Sequence, residues 1–160
     1  MRTTAVYAGT FDPITLGHLD LIERSADIFE RVVLAVAQAT PKTTLFSVEE
    51  RAAMAREVTA QFANVEVDTF NELLVKYARS KEAGILIRGL RAYSDFEYEF
   101  QMALTNRKLE PEIETLFMMP KEIHSYVSSS TVREVAQLGG DTSDFVPAVV
   151  QTHLTAKFAG

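Results

Sequence analysis

Gly9, Thr10, Phe11, Asp12 and Pro13 run into Ile14, Thr15, Leu16, Gly17 and His18, directly after the apolar residues Ala5, Val6, Tyr7 and Ala8 and ahead of a helical pattern. The order reads as a strand, a turn and a helix start whose polar groups face a ligand. The two glycines let the backbone approach a bulky anion with no Cβ in the way, and the free N–H groups at the opening of the helix attract negative charge. A phosphate-bearing molecule is the natural guest. His18 then stands in the first turn of that helix, where its imidazole can donate a hydrogen bond to the same anion. Taken singly these features are common: Asp-Pro is an ordinary turn pair, and a histidine after a glycine is more often structural than catalytic.

Further cations and hydroxyls recur at comparable places. Lys42 follows Pro41 in an aperiodic stretch, residues 38–46; Arg88 and Arg91 bracket Gly89 and Leu90; Ser128, Ser129 and Ser130 precede a helical pattern. Each lies at or after the end of a strand-like run, and ligands of open α/β sheets bind at the carboxyl edge. A lone surface lysine is usually solvated and a serine run before a helix is usually a cap. It is the shared edge that gathers Thr10, His18, Lys42, Arg88, Arg91 and the serines into one candidate site.

The elements that must position them follow from periodicity. Strand-like runs at residues 4–8, 32–37, 65–67, 85–87 and 115–118 alternate with stretches of helical period, which predicts an α/β fold with a parallel sheet of five strands and helices on both faces. Leu19, Ile22, Ala26 and Phe29 mark the buried face of the first helix. Ser47 and Glu50 form a capping box for a helix to about residue 62. Residues 71–82 read as a short helix burying Leu73, Leu74, Tyr77 and Ala78. Ser94 and Glu97 make a second capping box for a helix to about residue 108, preferred over a strand because of its helix formers. Its aromatics point in more than one direction, which favours a subunit interface. Thr131 and Glu134 suggest a third capping box, Gly139 and Gly140 stop that helix, and Pro147 suits the first turn of a last helix carrying Val150, Leu154 and Phe158.

At 160 residues with 47% hydrophobic content, the chain is expected to form a single domain with a real core. The absence of cysteine excludes disulfides, thiolate metal sites and a thiol nucleophile. A net charge of −6 argues against a nucleic-acid partner but not against small anions bound in a cationic cleft. Residues 1–4 lead straight into a strand pattern with no long apolar segment, so no membrane association and a cytoplasmic location are expected. The three histidines lack metal-ligand spacing, so no protein-bound metal is expected, and His153, in the terminal helix, has no place at the site.

The run Thr15, Leu16, Gly17, His18, with Gly9, Thr10, Phe11, Asp12 and Pro13 before it, resembles the T/H-x-G-H signature of the nucleotidyltransferase superfamily. Val127, Ser128, Ser129, Ser130, Thr131, Val132 and Arg133 are similar to its second signature. The stretch from Leu86 to Arg91, with Asp95, Phe96, Glu97, Tyr98 and Glu99, resembles the phosphopantetheine adenylyltransferase family in particular, and the match runs from the first strand to the last helix. The resemblance implies a Rossmann-like nucleotidyltransferase fold. It also implies a reaction in which ATP and 4′-phosphopantetheine give dephospho-coenzyme A and pyrophosphate, the penultimate step of coenzyme A biosynthesis, with magnesium arriving with ATP and a homohexamer as the assembly.

By the same resemblance His18 is the catalytic group at the α-phosphate, and Thr10, Lys42, Leu74 and Arg88 hold phosphopantetheine. Thr10, Phe11, His18, Gly89, Leu90, Arg91, Glu99, His124, Ser125, Tyr126, Val127, Ser128, Ser129 and Ser130 line the ATP site. Two positions depart from the family's habit: Ala8 stands where proline is common, and His124 where an aromatic such as tryptophan is frequent. The residue chemistry fits such a transfer, because the attacking phosphate is already anionic and catalysis reduces to positioning and charge stabilisation. The alternatives are a sister enzyme using CTP or nicotinamide mononucleotide, and a nucleotide sensor without catalysis. A phosphate-loop ATPase is excluded by the absence of G-x-x-x-x-G-K-[ST].

Overall fold

A strand that is apolar on both sides needs cover on both faces, and in β1, Thr4–Gly9, the residues Ala5, Val6, Tyr7 and Ala8 are all buried. The computed structural model describes residues 3–38, 40, 43–91 and 96–159. In it β1 is the centre of a parallel sheet with β2, Arg31–Ala37; β3, Val65–Phe70; β4, Ile85–Gly89; and β5, Glu114–Met118, in the order β3-β2-β1-β4-β5. The five expected strands are thus present and all pair in parallel. The chain builds outward from β1 through β2 to β3, then returns to β4 on the other side of β1. That reversal opens a crevice beyond the carboxyl ends of β1 and β4, where Gly9, Arg88 and Gly89 lie.

The period-two alternation sorts the side chains. Ala5, Tyr7, Leu34, Val36, Ile85 and Ile87 pack with Leu21 and Ile22 of α1, Leu16–Ile28, and with Ala52, Met54, Ala55 and Val58 of α2, Val48–Thr59. Val132 of α5, Ser129–Gln137, and Val150 and Leu154 of α6, Ala148–Phe158, complete that layer. Val6, Ala8, Val33, Ala35 and Leu86 face the other way, against Val75, Tyr77 and Ala78 of α3, Leu74–Ser80. Helices therefore cover both faces, as expected.

Several local expectations are corrected. In α1 Ile22 is buried as predicted and Phe29, the C-cap, packs half-buried against the core, but Leu21 and Ser25 share the buried face while Leu19 and Ala26 are only half-buried. Ser25 escapes a hydrophobicity count because its hydroxyl is satisfied within the helix, donating to the Leu21 carbonyl at 2.6 Å. The Ser47–Glu50 box forms, with Glu50 N donating to Ser47 Oγ at 3.1 Å and Ser47 N to Glu50 Oε2 at 2.8 Å. Helix α3 is shorter than predicted, and Leu73, expected to be buried, is its exposed N-cap.

In place of the box expected at Thr131, Ser128 is the N-cap of α5, a single cap that accepts from Thr131 N at 3.1 Å. Four consecutive hydroxyl residues each offer a cap. Starting at Ser128 brings Val132, which is fully buried, onto the core face. Gly139, at φ +77°, and Gly140 end that helix, their N–H groups bonding back to Ala136 and Val135 carbonyls. Pro147 precedes α6 as its N-cap rather than lying inside the first turn. The fourth helix, α4, Phe96–Leu109, is helical as preferred, whereas Ser94 and Asp95 of its expected cap lie outside the described residues. Asn106 is the one buried residue of α4; Phe96, Tyr98 and Phe100 are 56%, 55% and 50% exposed.

Candidate active site

His18 is the third residue of α1 and takes the place that glutamate has in an ordinary capping box. Thr15 Oγ1 accepts from His18 N at 3.3 Å, and Thr15 N donates to His18 Nδ1 at 2.9 Å. Because Nδ1 is an acceptor, the proton of the neutral ring sits on Nε2. Phe11 meets the imidazole edge-on, with ring centroids 4.9 Å apart, and Tyr7 lies behind at 6.4 Å. Burial, seconded by the Arg91 and Arg88 guanidiniums, pushes the His18 imidazole down to about 3. The ring is a neutral donor throughout the physiological range.

This has a measurable sign. His18 takes up a proton near pH 6.5 in the unfolded chain and only near pH 3 when folded, so between those values the unfolded state binds more protons. Its contribution to stability is unpenalised above the upper value and is lost as pH falls toward the lower one. Nuclear magnetic resonance of the ring nitrogens is expected to show a single Nε2–H tautomer that does not titrate between about pH 8 and about pH 5. Removal of His18 is expected to shrink the loss of urea resistance over that interval.

The turn between β1 and α1 is held from beneath by a buried arginine. Arg51 of α2, 2% exposed, donates to the carbonyls of Thr10 at 2.7 Å, Ala37 at 2.8 Å and Phe46 at 3.1 Å. Asp12 is no mere turn residue. Its carboxylate accepts from Leu45 N at 2.9 Å and Phe46 N at 3.0 Å, and Arg133 Nη1 lies 3.6 Å from it while donating to the Asp12 carbonyl at 2.5 Å. These groups tie the ends of β1 and β2 and the start of α5 to one another. Pattern reading missed Arg51, since on a helix face shared with Ala52 and Ala55 an arginine counts as solvated.

On the β4 side, Arg88 projects to the face of α3 and α4. Its Nε and Nη2 donate to the two oxygens of Glu99 at 2.9 and 2.6 Å, and Nη1 donates to the Ala8 carbonyl at 3.0 Å. Burial works against its charge, but the Glu99 carboxylate more than offsets this, and the guanidinium is held above its ordinary range. Arg91 donates to the Val127 carbonyl at 3.0 Å, linking the loop after β4 to the segment ahead of α5. Ser129 Oγ donates to the Pro13 carbonyl at 2.8 Å, which brings the α5 start against the α1 turn.

Together these walls enclose a cavity of about 520 Å³ at the carboxyl edge of β1 and β4. Of the sequence-predicted residues, Thr10, Phe11, His18, Arg88, Gly89, Arg91, Glu99, His124, Val127, Ser128, Ser129 and Ser130 line it. Thr15, Gly17, Asp12, Tyr98 and Arg133 line it as well. Leu90, Ser125 and Tyr126 stand outside that lining, and Leu74 packs with Val75 and Tyr77 on the sheet. Lys42 lies outside the described residues, although Thr40, Thr43 and Thr44 line the cavity.

The first-turn N–H groups of Gly17 on α1 and of Ser129 and Ser130 on α5 have no acceptor within their own helices, and all three residues face this space. With Arg88, Arg91 and Arg133 they make a pocket suited to a polyanion carrying several phosphates. Its carboxylates, Asp12 and Glu99, are already engaged by N–H groups and Arg88. Among the described residues no group of three or more His, Asp or Glu converges to cage a metal.

Comparison with known proteins agrees with this arrangement. The cytidylyltransferase-like family model matches residues 6–135, which include both signature stretches and most of the cavity lining. The phosphopantetheine adenylyltransferase of Methylococcus capsulatus is 58% identical over 160 residues, covering 100% of this chain and 99% of that one. That of Stenotrophomonas maltophilia is 57% identical over 93% of this chain and 88% of its own, and that of Xylella fastidiosa 56% identical over 93% and 92%. In fold, the chain is similar to a crystal structure from Vibrio parahaemolyticus assigned provisionally as a nicotinate-nucleotide adenylyltransferase. The TM-score is 0.71 at 18% identity, covering 98% of this chain and 93% of that one. With kinship at this level over the whole length, and with His18, Arg88, Arg91 and the serine run around one cavity, the chain belongs to the phosphopantetheine adenylyltransferase family of nucleotidyltransferases.

Proposed function

We infer that this protein transfers the adenylyl group of ATP to 4′-phosphopantetheine, giving dephospho-coenzyme A and pyrophosphate. The observation that carries the reading at the level of the site is that His18, with Nδ1 accepting from Thr15 N, lines the same cavity as Arg88, Arg91 and the opening of α5. An oxygen of the substrate's terminal phosphate attacks the α-phosphorus of ATP, the bond from that phosphorus to the bridging oxygen breaks, and pyrophosphate departs with the electron pair. No protein nucleophile is needed. Charge accumulates on the α-phosphate oxygens and on the leaving group, and fixed donors answer it best because they need no reorganisation.

In this assignment the Nε2–H of His18 donates to an α-phosphate oxygen, and its low proton affinity keeps the ring a neutral donor. In the same reading Thr10, Lys42, Leu74 and Arg88 hold phosphopantetheine. Thr10, Phe11, His18, Gly89, Leu90, Arg91, Glu99 and residues 124–130 serve ATP, and the free N–H groups of Ser129 and Ser130 at the opening of α5 suit its phosphates. Magnesium enters as part of the MgATP substrate. No described helix is long and apolar enough to cross a membrane.

The test is an assay of pyrophosphate release with magnesium, one nucleoside triphosphate and one acceptor at a time. Release is expected with ATP and only when phosphopantetheine is present. Equal turnover with CTP would overturn the nucleotide assignment, and turnover with nicotinamide mononucleotide in place of phosphopantetheine would overturn the acceptor.

The exposed apolar residues of α4 support assembly into an oligomer, a hexamer by family likeness. A helix with so little of itself buried gains its cover from another copy. Sedimentation at micromolar concentration is expected to give a mass well above the 17.8 kDa of one chain, and Phe100→Glu to lower it. A parental protein that sediments as a monomer would refute this.

A further inference from the structure

Asp20 has no part in the chemistry above, yet it is a carboxylate 5% exposed on α1, two residues past His18. Its Oδ2 accepts from Lys121 N at 3.0 Å, a bond spanning 101 residues of sequence, and from Arg24 Nη1 at 3.1 Å. The same Arg24 Nη1 donates to the Met119 carbonyl at 2.6 Å. Oδ1 has the Lys121 ammonium at 3.7 Å and no hydrogen-bond partner among the described residues. All these contacts grip Met119 and Lys121, which lie just beyond the last residue of β5, Met118.

Lys121 leads directly into the nucleotide side of the cavity. His124 N donates to the Lys121 carbonyl at 2.9 Å and Val127 N to the His124 carbonyl at 3.3 Å, so the place of Lys121 passes on to the residues that line the site. The first turn of α1 touches the same segment. A Cβ added to Gly17 would stand 3.5 Å from His124 Cβ and 3.6 Å from its carbonyl oxygen. A carboxylate serving only to anchor its own helix would be satisfied by Arg24, one turn away.

We propose that Asp20 is a positioning residue that holds residues 119–127 against the helix bearing His18, and so sets affinity for the nucleotide and not for the acceptor. The proposal rests on the assignment of that segment to ATP. Lys121 has φ −54°, a value proline adopts, so Lys121→Pro deletes the N–H that Asp20 accepts while leaving Asp20, Arg24 and Met119 in place. Lys121→Ala keeps the N–H and removes only the distant ammonium.

Calorimetric titration with ATP and steady-state kinetics on the full chain decide it. Lys121→Pro and Asp20→Asn are each expected to raise Kd and KM for ATP about tenfold, the effect of one lost charge-assisted hydrogen bond. The phosphopantetheine KM and the constants of Lys121→Ala are expected to stay within about twofold, and the double variant to be no worse than the single ones. A lowered melting temperature with unchanged ATP constants, or equal losses for both substrates, would overturn the proposal. Should Asp20→Asn fail to fold, Lys121→Pro carries the test. A parental protein that binds ATP but makes no pyrophosphate would refute the proposed reaction instead, and nucleotide titration of the same variants would still judge the clamp.

Discussion

His18→Ala is expected to lower kcat by about 10²–10³-fold, about 3–4 kcal/mol, while changing ATP affinity far less. In the proposed reaction the Nε2–H serves an oxygen whose charge and position change most on the way to the transition state, so its loss is expected to fall on the chemical step rather than on ground-state binding. The fold is expected to survive. The variant strands the Thr15 N–H that now donates to Nδ1, and losing one partner of a helix cap costs about 1 kcal/mol. Steady-state kinetics, with ATP binding measured calorimetrically on the same folded variant, give the answer. Normal ATP binding with nearly parental turnover would reduce His18 to a capping residue.

Arg88→Ala is expected to act twice, on binding and on stability. In the proposed assignment Arg88 pairs with the acceptor's phosphate, and its loss is expected to weaken phosphopantetheine by about 2–5 kcal/mol, with a smaller change for ATP. It also leaves Glu99, whose side chain is 12% exposed, without its two-pronged partner. Breaking a buried pair by removing one member costs about 3–5 kcal/mol, and the partial exposure of Arg88 puts this case at the lower end.

The two effects separate in the double variant Arg88→Ala/Glu99→Gln. Neutralising the stranded carboxylate is expected to restore most of the urea midpoint and none of the phosphopantetheine affinity. Lysine at position 88 is expected to restore little of either, because it lacks the planar fork that meets both Glu99 oxygens and the Ala8 carbonyl. Unchanged phosphopantetheine affinity in Arg88→Ala would remove Arg88 from the acceptor site.

The five strands were legible from sequence because apolar runs of strand length alternate with helical period, and in a parallel sheet covered on both sides that pattern has few other solutions. The edge on which the site lies was legible for the same reason: Gly9, Arg88 and Gly89 end strands, and strand ends share an edge once the strands are parallel. Caps were less secure. Ser47 with Glu50 was readable, because only one hydroxyl stood there, whereas the run from Ser128 to Thr131 offered several equivalent starts. The burial of Val132 chose among them.

Sequence by itself thus determined the layered architecture, the anion-seeking turn and the residue types able to stabilise a phosphoryl transfer. Only the tertiary structure decided how those residues are held. That His18 caps its own helix through Nδ1, and so keeps its proton on Nε2, depends on ring orientation. That Arg51, Asp12 and Asp20 are buried depends on carbonyl and N–H groups brought to them from segments up to 101 residues away. A periodicity count scores such residues as surface, because it sees their charge and not the partners that offset its desolvation.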